Sequence, residues 1–202
     1  GLNMAANPYL TADEAARLAQ ARIGIAGAGG LGSNCAMHLV RAGVRRLVLA
    51  DFDMVAPSNL NRQFFFRDQI GRKKVDALAE NLRRIKPDLE LTLHDVRLDA
   101  AAVATVFAGC DIVVEAFDGV AAKAMILAAL VPAGRRVVTA SGLAGWGRSN
   151  AIRLRRLGAH LVAVGDGETS VGPSCAPVSP RVGIAAAMEA NAVVAWLLGH
   201  DF

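Results

Sequence analysis

Gly27-Ala28-Gly29-Gly30-Leu31-Gly32 is a G-x-G-x-x-G turn, and its two flanks decide the fold. The apolar run R-I-G-I-A-G (residues 22–27) predicts a buried strand, and residues 31–42 predict a helix that ends at Gly43. In such a turn the first glycine permits a tight bend, the second lets backbone approach a phosphate, and the third lets helix pack on strand. The start of the helix offers unpaired N–H groups to an anion. The stretch therefore predicts a nucleotide site, whose candidate residues are Gly27, Gly29, Gly30 and Gly32.

The rest of the chain alternates between strand and helix patterns. Short apolar runs predict strands at residues 47–51, 89–94, 111–116 and 136–140, with helical periodicity between them. This alternation predicts an α/β, Rossmann-like fold, with a mixed, mostly parallel sheet and helices on both faces. Residues 148–157 and 160–164 look like two facing strands, so we expect an antiparallel C-terminal extension. Residues 182–198 predict a closing helix.

The chain has neither an internal repeat nor a stretch typical of a linker between domains. We therefore expect a single domain over residues 1–202. Its parts are an N-terminal helical arm (1–21), a nucleotide-binding part (22–141), and a C-terminal part (142–202) with the antiparallel strands, a loop and the closing helix. The T-x-x-E signal of Thr11 and Glu14 predicts the start of the first helix.

Composition excludes several classes of protein. The net charge is only +4, with Lys and Arg scattered among acids, so we expect no nucleic-acid partner. The three cysteines form no C-x-x-C pair, which excludes a disulfide scaffold and a four-cysteine zinc site within the chain. The longest apolar run, residues 184–198, is short and carries Glu189 and Asn191, so we expect no membrane partner. No secretory signal precedes the first strand, and we expect a cytoplasmic location.

Polar residues outside the turn favour a triphosphate ligand over a dinucleotide. Asp51 ends the second strand, where a carboxylate can accept hydrogen bonds from ribose hydroxyls. Arg62 supplies a two-pronged cation, Lys74 a mobile charge near a helix start, and Asn59 a neutral donor. Asp118 follows the fourth strand at the carboxyl edge of the sheet, where a carboxylate among phosphates suits magnesium. The glycine turn alone leaves NAD and ATP open, and this second set favours ATP.

These motifs give the chain a family resemblance. It resembles the ThiF/MoeB/HesA family, the prokaryotic relatives of ubiquitin-activating enzymes, from Arg22 to Gly199. Within that family it looks like the short ThiF variety of thiamine biosynthesis. The shared motifs are G-A-G-G-L-G-S (Gly27–Ser33), D-F-D (Asp51–Asp53), S-N-L-N-R-Q (Ser58–Gln63), G-R-K-K (Gly71–Lys74), F-D-G (Phe117–Gly119) and P-R-V-G-I-A (Pro180–Ala185).

The resemblance implies an adenylyltransferase that uses ATP and magnesium. Its substrate would be the C-terminal glycine carboxylate of a small ubiquitin-like sulfur carrier protein, ThiS-like and ending in Gly-Gly, and pyrophosphate would be released. The loop within residues 142–202 would bind that carrier. The implied roles are as follows: Asp51 holds the ribose; Gly29 and Gly32 face the phosphates; Asn59, Arg62 and Lys74 grip the triphosphate; Asp118 holds magnesium; Gln63 and Asp53 support the nucleotide.

Departures from the family pattern limit what is carried over. The longer members bind zinc through two C-x-x-C pairs that this chain lacks, so we expect no zinc. Gly119 stands where the family usually has an asparagine. A homodimer is typical, and Arg17 is the candidate for an arginine acting across it. Cys175 lies where longer members use a cysteine, but we expect a non-catalytic thiol.

Three other functions stay open on the sequence. The same chemistry could act on a MoaD-like carrier in molybdopterin synthesis. An NAD-dependent Rossmann dehydrogenase would leave Arg62, Lys74 and Asp118 without a role. A non-catalytic module that recognises a ubiquitin-like protein would not need the intact set of cations.

Overall fold

The structure, a computed structural model, describes residues 7–200 and 202 as one sheet covered by helices on both faces. The strands are β1 (Arg22–Ala26), β2 (Arg46–Ala50), β3 (Glu90–His94), β4 (Ile112–Glu115), β5 (Arg136–Ala140), β6 (Arg153–Arg156) and β7 (Leu161–Gly165). The helices are α1 (Ala12–Gln20), α2 (Gly30–Ala42), α3 (Lys74–Ile85), α4 (Ala100–Val106), α5 (Val120–Leu130) and α6 (Ser179–Leu198). Short 3-10 helices cover Pro57–Asn61, Arg67–Gln69 and Ser149–Ala151.

The strand order is β3-β2-β1-β4-β5-β7-β6, which leaves β3 and β6 as the two edges. All neighbours are parallel except β6 and β7, which pair antiparallel. The predicted α/β class and mostly parallel sheet are therefore confirmed. The two C-terminal strands face each other as expected, but only β6 runs against the sheet, because β7 lies parallel to β5.

The first helix begins at the predicted capping signal. The Thr11 hydroxyl accepts a hydrogen bond from the Glu14 backbone N–H (3.2 Å), and the Glu14 carboxylate accepts one from the Thr11 N–H (2.8 Å). This reciprocal pair satisfies two N–H groups that a helix start leaves unpaired. Residues 1–6 of the predicted N-terminal arm lie outside the described part of the chain.

The core lies on both faces of the sheet. Helices α2, α3 and α6 bury their apolar side chains on one face, and α4 and α5 on the other. By length and hydropathy α6 could cross a membrane, but half of its most apolar stretch is buried inside the protein. It packs along α2 and against β5 and β7, the position of a core helix.

Parallel pairing brings three strand ends to one edge of the sheet. Ala26, the last residue of β1, is level with Ala50 of β2 and with Glu115 of β4. The segments that follow these residues therefore leave the sheet side by side, at its carboxyl edge. Open α/β sheets bind their ligands at this edge.

Candidate nucleotide site

The glycine turn is packed so closely that two of its glycines are sterically required. A Cβ atom at Gly32 would overlap the carbonyl oxygen of Gly27. Gly27 has φ +101°, and a Cβ there would lie 2.9 Å from the carbonyl oxygen of Ala116. Because Ala116 starts the segment that carries Asp118, the turn and the predicted metal ligand belong to adjacent loops.

Asp51 is buried beneath this turn. One of its carboxylate oxygens accepts a hydrogen bond from the Ala28 N–H (2.7 Å), and the other accepts from the Asp53 N–H (2.8 Å). Burial raises the pKa of Asp51, and these two hydrogen bonds and the charge of Lys74 oppose that rise. Asp51 therefore holds the shape of the turn. The predicted ribose contact would use its remaining lone pairs, and that role stays a prediction.

Lys74 places a nearly buried ammonium group close to Asp51. Its side chain is only 7% exposed, and its Nζ lies 3.9 Å from the nearer carboxylate oxygen of Asp53. Lys74 is also the first residue of α3, and its backbone N–H donates to the Asp53 carbonyl (3.0 Å). The start of α3 and the segment that follows β2 thus fix this cation at the carboxyl edge.

The segment after Pro57 brings Arg62 and Gln63 against the turn. The Arg62 side chain would contact a Cβ at Gly30 (3.5 Å), and the Gln63 Nε2 would contact one at Gly29 (3.6 Å). Gln63 is buried, and its Oε1 has no hydrogen-bond partner among the described residues. Asn59 accepts a hydrogen bond from the Ala56 N–H (2.8 Å) through Oδ1, which leaves Nδ2 as its group for a ligand.

Two residues of α2 for which the sequence pattern predicts no role hold this segment in place. The Asn34 Nδ2 donates to the carbonyls of Arg62 (2.8 Å) and Gly30 (2.6 Å). The Ser33 hydroxyl donates to the Gly29 carbonyl (2.6 Å) and accepts from the Phe64 N–H (3.0 Å). The sequence signal that could have indicated this role is the presence of polar side chains in the first turn of the helix that follows the glycine turn. Their partners, about thirty residues away, are not visible in the local pattern.

Asp118 is exposed in the segment between β4 and α5. Within residues 7–200 and 202 no group of three or more His, Cys, Asp or Glu side chains could hold a metal ion. Magnesium, however, is commonly bound by one or two carboxylates together with the phosphates of a nucleotide. An exposed carboxylate in the loop next to the glycine turn fits that donor set.

The sequence profile of the ThiF family matches residues 3–202. The chain belongs to the ThiF family. It is 38% identical over 128 residues to the Escherichia coli sulfur carrier protein ThiS adenylyltransferase (63% of this chain, 51% of that protein). It is 36% identical over 137 residues to the Aspergillus niger adenylyltransferase and sulfurtransferase uba4 (67% of this chain, 28% of that protein). The chain thus spans about half the length of these relatives, or less.

Solved structures confirm the ThiF-type fold. The Escherichia coli tRNA N6-threonylcarbamoyladenosine dehydratase TcdA, in complex with ATP, superposes with a TM-score of 0.86 at 23% identity, covering 93% of this chain and 90% of that one. Escherichia coli MccB with ATP gives a TM-score of 0.74 at 20% identity, covering 93% and 59%. At these identities the likeness concerns the fold.

The structure does not test the roles that the ThiF resemblance implies for two further residues, Cys175 and Arg17. Cys175 is partly exposed, and its Sγ would lie 3.4 Å from a Cβ at Gly145. Arg17 forms an ion pair with Asp13 at 2.9 Å on the exposed face of α1. The absence of a catalytic role for the Cys175 thiol stays a prediction, and Arg17 stays the candidate for an arginine acting across a dimer.

Proposed function

We propose that this ThiF-family protein binds ATP with magnesium and adenylates the C-terminal glycine carboxylate of a small ubiquitin-like sulfur carrier. The observation that carries the proposal is the convergence of the glycine turn with Arg62, Lys74 and Asp118 at one edge of the sheet. A dehydrogenase would not need two cations and an exposed carboxylate beside the phosphates.

The chemistry requires only groups that this site can supply. The carrier carboxylate is already ionised at neutral pH, so no protein base is needed. Its oxygen attacks the α-phosphorus of ATP, and the bond from that phosphorus to the bridging oxygen breaks. Pyrophosphate leaves with the electron pair, and the carrier is left as an acyl-adenylate. Arg62 and Lys74 would neutralise the charge on the leaving pyrophosphate, and Asp118 would hold the magnesium ion that adds to this neutralisation.

The names of the relatives support a sulfur carrier as substrate. They include a ThiS adenylyltransferase and a Salmonella typhimurium molybdopterin-synthase adenylyltransferase, which is 38% identical over 107 residues (52% of this chain, 43% of that protein). The proposal favours a ThiS-like carrier in thiamine thiazole synthesis, with a MoaD-like carrier as the alternative. It includes a cytoplasmic homodimer, to be tested by sedimentation of the wild type. Arg17 is the candidate for an arginine that contacts the triphosphate across that dimer, to be tested by comparing exchange by wild type and Arg17→Ala.

Carrier-dependent exchange of pyrophosphate into ATP tests the function. Wild type should exchange with a ThiS-type carrier ending in Gly-Gly, and a MoaD-type carrier assayed in parallel decides between the two substrates. Asp118→Asn should reduce exchange by several powers of ten, since it removes a metal contact and its stabilisation of transition-state charge. The matched control is Asp88→Asn, an exposed acid paired with Arg45 at the opposite edge of the sheet, which should exchange like wild type.

Calorimetry separates the competing functions. The proposal requires ATP binding that is tighter with magnesium, and no tight NAD binding. Tight NAD binding with none for ATP would favour a dehydrogenase. ATP binding without exchange for any Gly-Gly carrier would favour a non-catalytic module. Normal exchange by a folded Asp118→Asn protein would remove Asp118 from the mechanism.

A further inference from the structure

Glu115 is a fully buried carboxylate with both oxygens bonded. It is the last residue of β4 and is 0% exposed. One oxygen accepts from the Phe117 backbone N–H at 2.8 Å. The other accepts from the Lys123 Nζ at 2.6 Å and from the Thr139 hydroxyl at 2.5 Å. The three side chains come from β4, α5 and β5, and their charges and hydrogen bonds are matched.

This network holds both ends of the segment that carries Asp118. The hydrogen bond from the Phe117 N–H to Glu115 sets the bend of the chain directly after β4. The hydrogen bond from the Lys123 Nζ to Glu115 fixes the first turn of α5. The Lys123 backbone N–H also donates to the Gly119 carbonyl (3.0 Å). Thr139 ties the carboxylate to β5, one step beyond the paired residues Val114 and Val138.

The orientation of Asp118 depends on the backbone on either side of it. The hydrogen bonds and ion pairs of residues 7–200 and 202 include none made by its own side chain. Its position is therefore set by the chain on either side of it. Glu115 is fully buried, although the Lys123 side chain is 23% exposed, and a buried carboxylate is a costly way to gain stability alone, because apolar residues of similar size often serve equally well. A charged network that directs a loop gives a better account of this arrangement.

We propose that Glu115, Lys123 and Thr139 are positioning residues that aim Asp118 at the metal of the nucleotide complex. This inference rests on the proposed function, in which Asp118 is the metal ligand. Residues that orient a ligand typically change metal affinity or activity by 10–100-fold when they are replaced. The network should therefore control the gain in ATP affinity that magnesium provides, and leave the magnesium-free affinity to the glycine turn, Arg62 and Lys74.

Calorimetric titration of ATP, with magnesium and with EDTA, tests the network independently of turnover. For Glu115→Gln we expect the magnesium-dependent gain to fall about tenfold or more, while the affinity in EDTA stays within about twofold of wild type. Thr139→Val should lose part of the gain, and Thr139→Ser, which keeps the hydroxyl, should restore it. The matched control is Thr92→Val on β3, which removes a threonine hydrogen bond to Arg22 outside this network and should keep the gain.

A double-mutant cycle separates positioning from general stability. If Glu115 acts through Asp118, adding Glu115→Gln to Asp118→Asn should cause no further loss of the magnesium-dependent gain. Additive losses, or a wild-type gain in folded Glu115→Gln and Thr139→Val proteins, would overturn the inference while leaving the adenylation proposal intact. If Glu115→Gln does not fold, the two Thr139 variants decide. If the ATP affinity of the wild-type protein does not depend on magnesium, both the metal role of Asp118 and its positioning by the network are refuted, whatever the exchange assay shows.

Discussion

Replacing Glu189 with glutamine should change how the stability of the protein depends on pH. Glu189 lies in the middle of α6 and is 0% exposed. Neither of its carboxyl oxygens has a hydrogen-bond partner among the described residues. Burial, and then the neighbouring charge of Glu115, raise its pKa well above the usual range, and Lys123 opposes that rise. We therefore expect Glu189 in the folded protein to keep its proton to a higher pH than a glutamate of the unfolded chain does.

The sign follows from the raised pKa. The folded state keeps a proton that the unfolded chain, with a glutamate pKa of about 4.3, releases. The favourable contribution is fully present below that unfolded pKa and is lost as pH rises towards the folded pKa. Between the two values, each pH unit costs the wild type about 1.4 kcal/mol of unfolding free energy. Glutamine does not titrate, so Glu189→Gln should gain stability relative to wild type by that amount per unit.

Urea denaturation at pH 5, 6 and 7 measures this difference. The quantity measured is the difference in unfolding free energy between variant and wild type. The slope of this difference with pH reports the raised pKa of Glu189, whereas its value at pH 5 also contains other effects of the substitution. Glu90→Gln is the control, because Glu90 is exposed on β3 beside Arg46 and should follow the wild-type curve. Parallel curves for wild type and Glu189→Gln would show that the buried carboxyl is ionised in the folded state, and the reasoning would be refuted.

Two other substitutions test the packing. Gly32→Ala should abolish ATP binding at concentrations that saturate wild type, because the added Cβ would overlap the Gly27 carbonyl oxygen. The control is Gly183→Ala, at an open position in α6. This variant should bind ATP normally, and its unfolding free energy should rise by about 0.4–1 kcal/mol. Arg181→Met should cost about 3–5 kcal/mol in urea denaturation, because it removes a buried ion pair with Asp166 (2.7 Å, both side chains only 2% exposed) and the hydrogen bonds of Arg181 to the Gly147 and Arg148 carbonyls. A loss below about 1 kcal/mol, as for a surface pair, would contradict that account.

Local patterns were sufficient for most elements of the fold. The observed bounds of β5 agree with the predicted residues 136–140, and α3 lies in the predicted helical stretch between the strands at 47–51 and 89–94. In α3 an amphipathic pattern runs into Pro87, and in β5 a run of β-branched residues follows two arginines. Strand direction was harder to predict at the C-terminal end, because alternating side chains identify a strand but not the strand it pairs with. Hence the parallel pairing of β7 with β5 emerged only from the structure.

The site shows the same division between local and distant information. The glycine turn, Arg62 and Lys74 have signatures confined to a few residues, and the structure brings them together. Glu115 has no such signature, because its partners Lys123 and Thr139 are 8 and 24 residues away along the chain. Buried ionic networks depend on tertiary contacts, so the pattern of a single segment does not reveal them.

The arginines of β6 bear on how copies of the protein can meet. An open edge strand can pair with the same strand of another molecule, which leads to aggregation. Three of the four residues of β6, Arg153, Arg155 and Arg156, are cationic and exposed. Two β6 strands aligned edge to edge would bring like charges face to face, which disfavours a continuous sheet across two molecules. The proposed homodimer should therefore assemble through a surface other than this edge.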